Sequence, residues 1–92
     1  MYIIAIEGRE DEGAYSVRDE YGDQFLYIFQ EEDDAMRFSM MLEDMGSPKM
    51  NVIDVEEEIL IEACETYGHQ YVIFTPDDIV IPPKETTKND FI

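Results

Sequence analysis

Residues 24–30, Gln-Phe-Leu-Tyr-Ile-Phe-Gln, are apolar on both faces of an extended chain. Successive side chains of a strand point to opposite faces, so Phe25, Tyr27 and Phe29 line one face and Leu26 and Ile28 the other. Such a strand belongs inside a sheet, with neighbours on both edges and cover on both faces. Any fold open to this chain has to be built around that segment.

The flanking sequence supplies the neighbours. Tyr2 to Ile6 is apolar and rich in isoleucine, is bounded by Glu7-Gly8, and reads as a strand. Ala14 to Val17 alternates weakly and reads as a short edge strand. Charged, glycine-containing turns at 8–13 and 19–23 separate these segments. After the central strand, Ala35, Phe38, Met41, Leu42 and Met45 recur at helical spacing, which predicts a helix from Glu32 to Met45. Gly46 stands where a left-handed cap is expected and Pro48 prevents continuation. Asn51 to Val55 reads as a strand. A second helix follows from Val55 to Tyr67, with Asp54 as expected N-cap, Glu57 completing a capping box, and Gly68 as the stop. Ile59, Leu60, Ala63 and Tyr67 form its expected inner face. Gln70 to Thr75 and Ile79 to Ile81 read as closing strands, with Pro82-Pro83 ending the domain.

This order, β, weak β, β, α, β, α, β, β, contains the pattern β-β-α-β-α-β and predicts an α+β open-faced sandwich. Its mixed sheet carries two helices on one face and is loosely ferredoxin-like. Residues 1–83 form the single expected domain and 84–92 a flexible C-terminal tail. Two helices on one face leave the other open, with its aromatic and aliphatic side chains. A homodimer through that open face is the expected way to bury it.

The charge balance narrows the function. Among 92 residues there are 23 acidic and 6 basic ones, a formal net charge of -17. Direct contact with nucleic acid or an anionic membrane is opposed by that charge, and a protein partner with a basic surface is favoured. The single cysteine, Cys64, and single histidine, His69, leave no disulfide and no Cys/His metal site. The N-terminal segment has no basic start and reads as a strand rather than a signal peptide. No apolar run approaches the length of a membrane helix, so a cytoplasmic protein is expected.

Four consecutive carboxylates, Glu31-Glu32-Asp33-Asp34, open the first helix. A calcium loop spaces its ligands at alternate positions around a glycine bend, whereas four adjacent residues point around a helix and do not converge. A helix N-terminus, however, favours carboxylates by about 0.3–1 kcal/mol each, which accounts for the run without a metal. Glu56-Glu57-Glu58 repeats the arrangement at the second helix. Cys64, set between Glu62 and Glu65 near a helix C-terminus, reads as a packed core residue rather than a reactive thiol. His69 has no neighbouring nucleophile or orienting group and reads as a surface residue. There is no phosphate-binding glycine loop, no serine elbow and no HExxH motif. No catalytic residue, cofactor or metal ligand is expected. Met36 and Met40 lie opposite the apolar stripe, one turn apart, and read as an exposed, adaptable contact patch, with Ile61 similarly placed on the second helix.

The stretches FQEEDDAMRFSMMLE, VIDVEEEILIEACETYGHQY and IVIPP resemble those of a small domain family of unknown function found in cyanobacteria, plastid-bearing plants and cyanophages. The resemblance spans roughly residues 2–83. It is most specific at Asp33, Asp34, Ala35, Arg37 and Phe38, and again around Cys64, Gly68 and Pro82-Pro83. It implies a cyanobacterial or cyanophage setting and brings no catalytic residues to carry over.

Together these features predict a small acidic regulatory or adaptor protein without enzymatic activity. It binds a host protein through Glu31, Glu32, Asp33, Met36, Met40, Glu56 and Glu57. The alternative is a nucleic-acid mimic that blocks a DNA- or RNA-binding protein. A cluster of acidic side chains at one end favours the adaptor, and a long double row favours the mimic.

Overall fold

The structure is a computed structural model describing residues 1–78 and 90–91. Its elements are β1 (Tyr2–Ile6), β2 (Tyr15–Arg18), β3 (Gln24–Phe29), α1 (Glu32–Asp44), β4 (Met50–Asp54), α2 (Glu57–Tyr67), β5 (Gln70–Phe74) and β6 (Asp90–Phe91). A single 3-10 turn at Glu10–Glu12 links β1 to β2. The expected strand at Ile79–Ile81 and most of the expected tail lie outside the described residues. Asp90 and Phe91, within that tail, pair antiparallel with β2.

The sheet is mixed. Along the path β4-β1-β3-β2-β6 each strand is antiparallel to its neighbour, and β5 pairs parallel with β3. β3 is central, as its two apolar faces require. β5 follows one edge of β3 from Phe25↔Gln70 to Phe29↔Phe74. The other edge is shared, since β2 pairs with Gln24–Leu26 and β1 meets β3 at Tyr2↔Phe29. β2 is thereby enclosed between β3 and β6 rather than lying at an edge as expected. Tyr15 on β2 is fully buried, and Ser16 beside it is satisfied by the Gln24 side-chain amide at 2.8 Å.

The α+β class and the mixed sheet agree with the sequence, but the ferredoxin-like strand order and the placement of both helices on one face do not. Two separate cores form. Phe29 and Ile4 pack beneath Ala35, Phe38 and Leu42 of α1, with Tyr27 and Phe74 half-buried beside them. Leu26 and Ile28, on the opposite face, pack beneath Leu60 and Cys64 of α2. The cause is the direction of travel. The β3-α1-β4 connection crosses β1 one way, and β4-α2-β5 returns across β1 and β3 the other way. Right-handed crossovers running in opposite directions put their helices on opposite faces. The open face on which a homodimer was expected is therefore occupied by α2.

Two helix faces also differ from expectation. Met45, expected on the inner stripe, is the cap residue that follows α1 and is 50% exposed. On α2 the buried face is Leu60 and Cys64 with Ile61 packed beside them, while Ala63 is exposed, Ile59 is 58% exposed and Tyr67 more so. Ile61, expected outside, is thus turned inward and Ile59 outward. Both helices end in the Schellman geometry expected of Gly46 and Gly68. Ser47 N–H donates to Leu42 C=O at 3.0 Å, and His69 N–H to Cys64 C=O at 2.8 Å. Asp54 does not cap α2. It is the last residue of β4, paired with Tyr2, and the N-cap position falls on Glu56, whose side chain makes no capping hydrogen bond. Among the described residues, no helix is long and apolar enough to cross a membrane.

Candidate functional site: an acidic end of the sheet

β3 and β4 are both antiparallel to β1, so they point the same way. Their C-terminal ends flank the first residue of β1, with Tyr2 opposite Phe29 on one side and Asp54 on the other. β5, parallel to β3, ends at the same place, where Gln30 N–H donates to Phe74 C=O at 2.9 Å. Every segment leaving this end carries carboxylates within its first four residues: Glu31–Asp34 into α1, Glu56–Glu58 into α2, and Asp77-Asp78 after β5.

Tyr2 reports the resulting field. Its hydroxyl pKa is raised above the ordinary 10.0, first by the charge of Asp54, then by burial, then by Glu32 and Glu31. Carboxylates from two different crossovers thus act on one residue. Glu31, Glu32, Asp33, Glu56 and Glu57 are all exposed, as expected. The first-turn placement of Glu32, Asp33 and Asp34 matches the helix-dipole account of the run. Asp34 alone turns inward, pairing with Arg37 at 2.9 Å. Among the described basic side chains, Arg9, Arg18 and Lys49 lie at the opposite end of the sheet; Arg9 pairs there with Glu12 and Lys49 with Glu7. The opposite end is acidic as well, with Glu7, Glu10, Asp11, Glu12, Asp19, Glu20, Asp23, Glu43 and Asp44, so the Tyr2 end stands out by having Arg37 as its one basic side chain among the described residues.

Met36 and Met40 are 47% and 57% exposed on the outer side of α1. With Asp33 they form one stripe at i, i+3 and i+7, running from the acidic end along the helix. Glu56 and Glu57 begin a helix on the other face of the sheet, so the structure joins them to Glu31 and Glu32 across the strand ends but does not bring them beside the methionines. Asp54, Asp77 and Asp78 belong to the same end and were missed in the sequence. Asp54 is the last residue of β4, and Asp77 and Asp78 stand three and four residues after β5, so their place at this end follows from strand directions that only the fold sets. Asp78 is also structural, accepting hydrogen bonds from Thr75 N–H at 2.7 Å and Thr75 Oγ1 at 3.2 Å.

Cys64 is buried in the α2 core as expected. Burial, and then Glu65, push its pKa up, the direction of an unreactive thiol. His69 is half-buried, at 6.1 Å between ring centroids from Tyr67. Among the described residues, no group of three or more His, Cys, Asp or Glu side chains is arranged to hold a metal ion.

A family model, DUF3110, a domain of unknown function, matches residues 2–84. No curated protein and no solved structure matches the chain.

Proposed function

The chain belongs to the DUF3110 family, and on that premise we propose that it is a small acidic adaptor or regulatory protein without enzymatic activity, docking a basic surface of a host protein onto the Tyr2 end of its sheet. The meeting of the C-terminal ends of β3, β4 and β5 beside Tyr2, each followed by an acidic segment, is the observation that carries this reading. Asp54 ends β4, Glu31 and Glu32 enter α1, and Glu56 and Glu57 enter α2, so exposed carboxylates from separate segments share one end of the sheet and present a surface that attracts a cationic partner. Long-range attraction of this kind speeds encounter and sets orientation. The Met36 and Met40 stripe supplies adaptable apolar contact once charges have aligned the partner. The cellular setting implied by the family resemblance is a cyanobacterium or an infecting cyanophage.

Affinity capture from a cyanobacterial lysate, run with the wild type and two charge-reversed variants, tests the reading. Glu31→Lys/Glu32→Lys/Glu56→Lys/Glu57→Lys reverses the acidic end, and Asp11→Lys/Glu12→Lys reverses charges at the opposite end. The expected result is a specific partner retained by the wild type and the second variant and lost from the first. Failure of the wild type to retain a specific partner at low and moderate salt contradicts the proposal. Equal loss from both variants favours the mimic, which needs charge distributed along the surface.

A further inference from the structure

The sheet face beneath α2 is incompletely filled. α2 rests on it through Leu60 and Cys64, but beside them three alanines from separate segments face one space: Ala5 of β1, Ala14 just before β2, and Ala63 of α2. Between helix and sheet lies a cavity of about 470 Å³, open to solvent along the exposed Glu10, Ala63 and Tyr67. Cavities of about 300–1,000 Å³ are of ligand size.

The lining has a definite chemistry. Ile3, Leu26 and Ile53 add apolar wall to the alanines, and Glu10, Tyr67 and His69 contribute polar groups. Glu10 is oriented by hydrogen bonds from Asn51 Nδ2 at 2.7 Å and Gly8 N–H at 3.2 Å. The Tyr67 and His69 rings lie side by side, inclined at 31°. A carboxylate and aromatic rings lining one groove suit an organic ammonium group, which is attracted to the charge and to the ring faces. The net charge of -17 acts in the same sense, repelling fatty-acid anions and attracting cations.

We propose that this cavity binds an amphipathic organic cation, its apolar body against Ala5, Ala14 and Leu26 and its ammonium head between Glu10 and the Tyr67 ring. The cavity lies under α2 and does not depend on the docking function proposed for the acidic end.

Amide NMR titrations of the full chain with decyltrimethylammonium, decanol and decanoate below their micellar concentrations test this, because the three probes share a tail and differ in head charge. The expected result is saturable binding of decyltrimethylammonium, with shifts centred on Ala5, Leu26, Ala63 and Cys64, and roughly tenfold or weaker affinity for decanoate. Ala63→Phe, at an exposed position on the cavity wall, should abolish binding with the fold retained. Glu10→Gln should bring the affinity for the cation down toward that for decanol. Each of four results overturns the proposal: unsaturable binding, shifts centred on Glu31 and Glu56, equal affinity for the three probes, or unchanged affinity in Ala63→Phe.

Discussion

Tyr15 shows how much of this domain depends on single side chains. Its ring meets Phe38 at 5.5 Å, Tyr27 at 5.8 Å and Phe91 at 6.1 Å, each edge-on. Such pairs contribute about 0.5–1.5 kcal/mol each beyond the area they bury. Burial, and then the neighbouring Tyr27, push the Tyr15 pKa from 10.0 up to about 12. Below pH 10 the folded and unfolded chains both keep this proton, and its contribution to stability is fully present. As pH rises from 10 toward 12 the unfolded chain gives the proton up while the folded chain holds it, so stability falls. Denaturant unfolding across that interval should show a steeper loss for the wild type than for Tyr15→Phe, which keeps the ring and lacks the hydroxyl. Parallel pH profiles for the two proteins would contradict this.

The ends of α2 differ in what holds them. At its C-terminus Gly68 adopts a φ of 71°, and no atom lies within 4 Å of where a Cβ would stand. Gly68→Ala therefore meets no clash but bears the left-handed backbone penalty of about 1–2 kcal/mol. At the N-terminus Asp54 closes β4 instead of capping, its side chain is exposed, and its ion pair with the terminal amine is long at 3.9 Å. Asp54→Ala should stay within about 0.5 kcal/mol of the wild type, as surface substitutions away from structural features do. Urea unfolding of the two variants gives the ranking directly. A larger loss for Asp54→Ala would mean that α2 is capped in solution by a carboxylate this structure leaves free of that role.

For the whole molecule, the charge of -17 is the dominant long-range term. The ion pairs among the described residues are mostly exposed and short-range, and such pairs contribute little. Bringing 23 acidic groups into one compact body raises their mutual repulsion above its value in the unfolded chain. The melting temperature should therefore rise as sodium chloride increases from about 0.01 M to about 0.15 M, where the screening length shortens from about 30 to about 8 Å. Circular dichroism melts at the two salt concentrations measure this. A fall with added salt would show that attractive pairs outweigh the repulsion.

The periodicities of the sequence determined the local structure, because each depends on neighbours a few residues away. The two apolar faces of Gln24–Phe29 placed β3 in the sheet interior, the Ala35/Phe38/Leu42 stripe placed α1 on a core, and Gly46 and Gly68 ended the helices. The acidic run at Glu31–Asp34 likewise declared a helix start, and the exposure of Met36 and Met40 followed from the wheel. Strand order was decided elsewhere, by pairings between residues far apart in the chain. Tyr2 joins Phe29 and Asp54, and Phe29 joins Phe74, and no local pattern in any one segment encodes its partner. That order reversed the second crossover and so carried α2 to the opposite face, closing the surface that the helix count alone left open. It also turned Ile61 inward and Ile59 outward, because the inner face of an apolar helix is chosen by what it packs against. The cavity arose in the same way. Ala5, Ala14 and Ala63 are unremarkable in sequence, and only the tertiary fold sets three small side chains around one space.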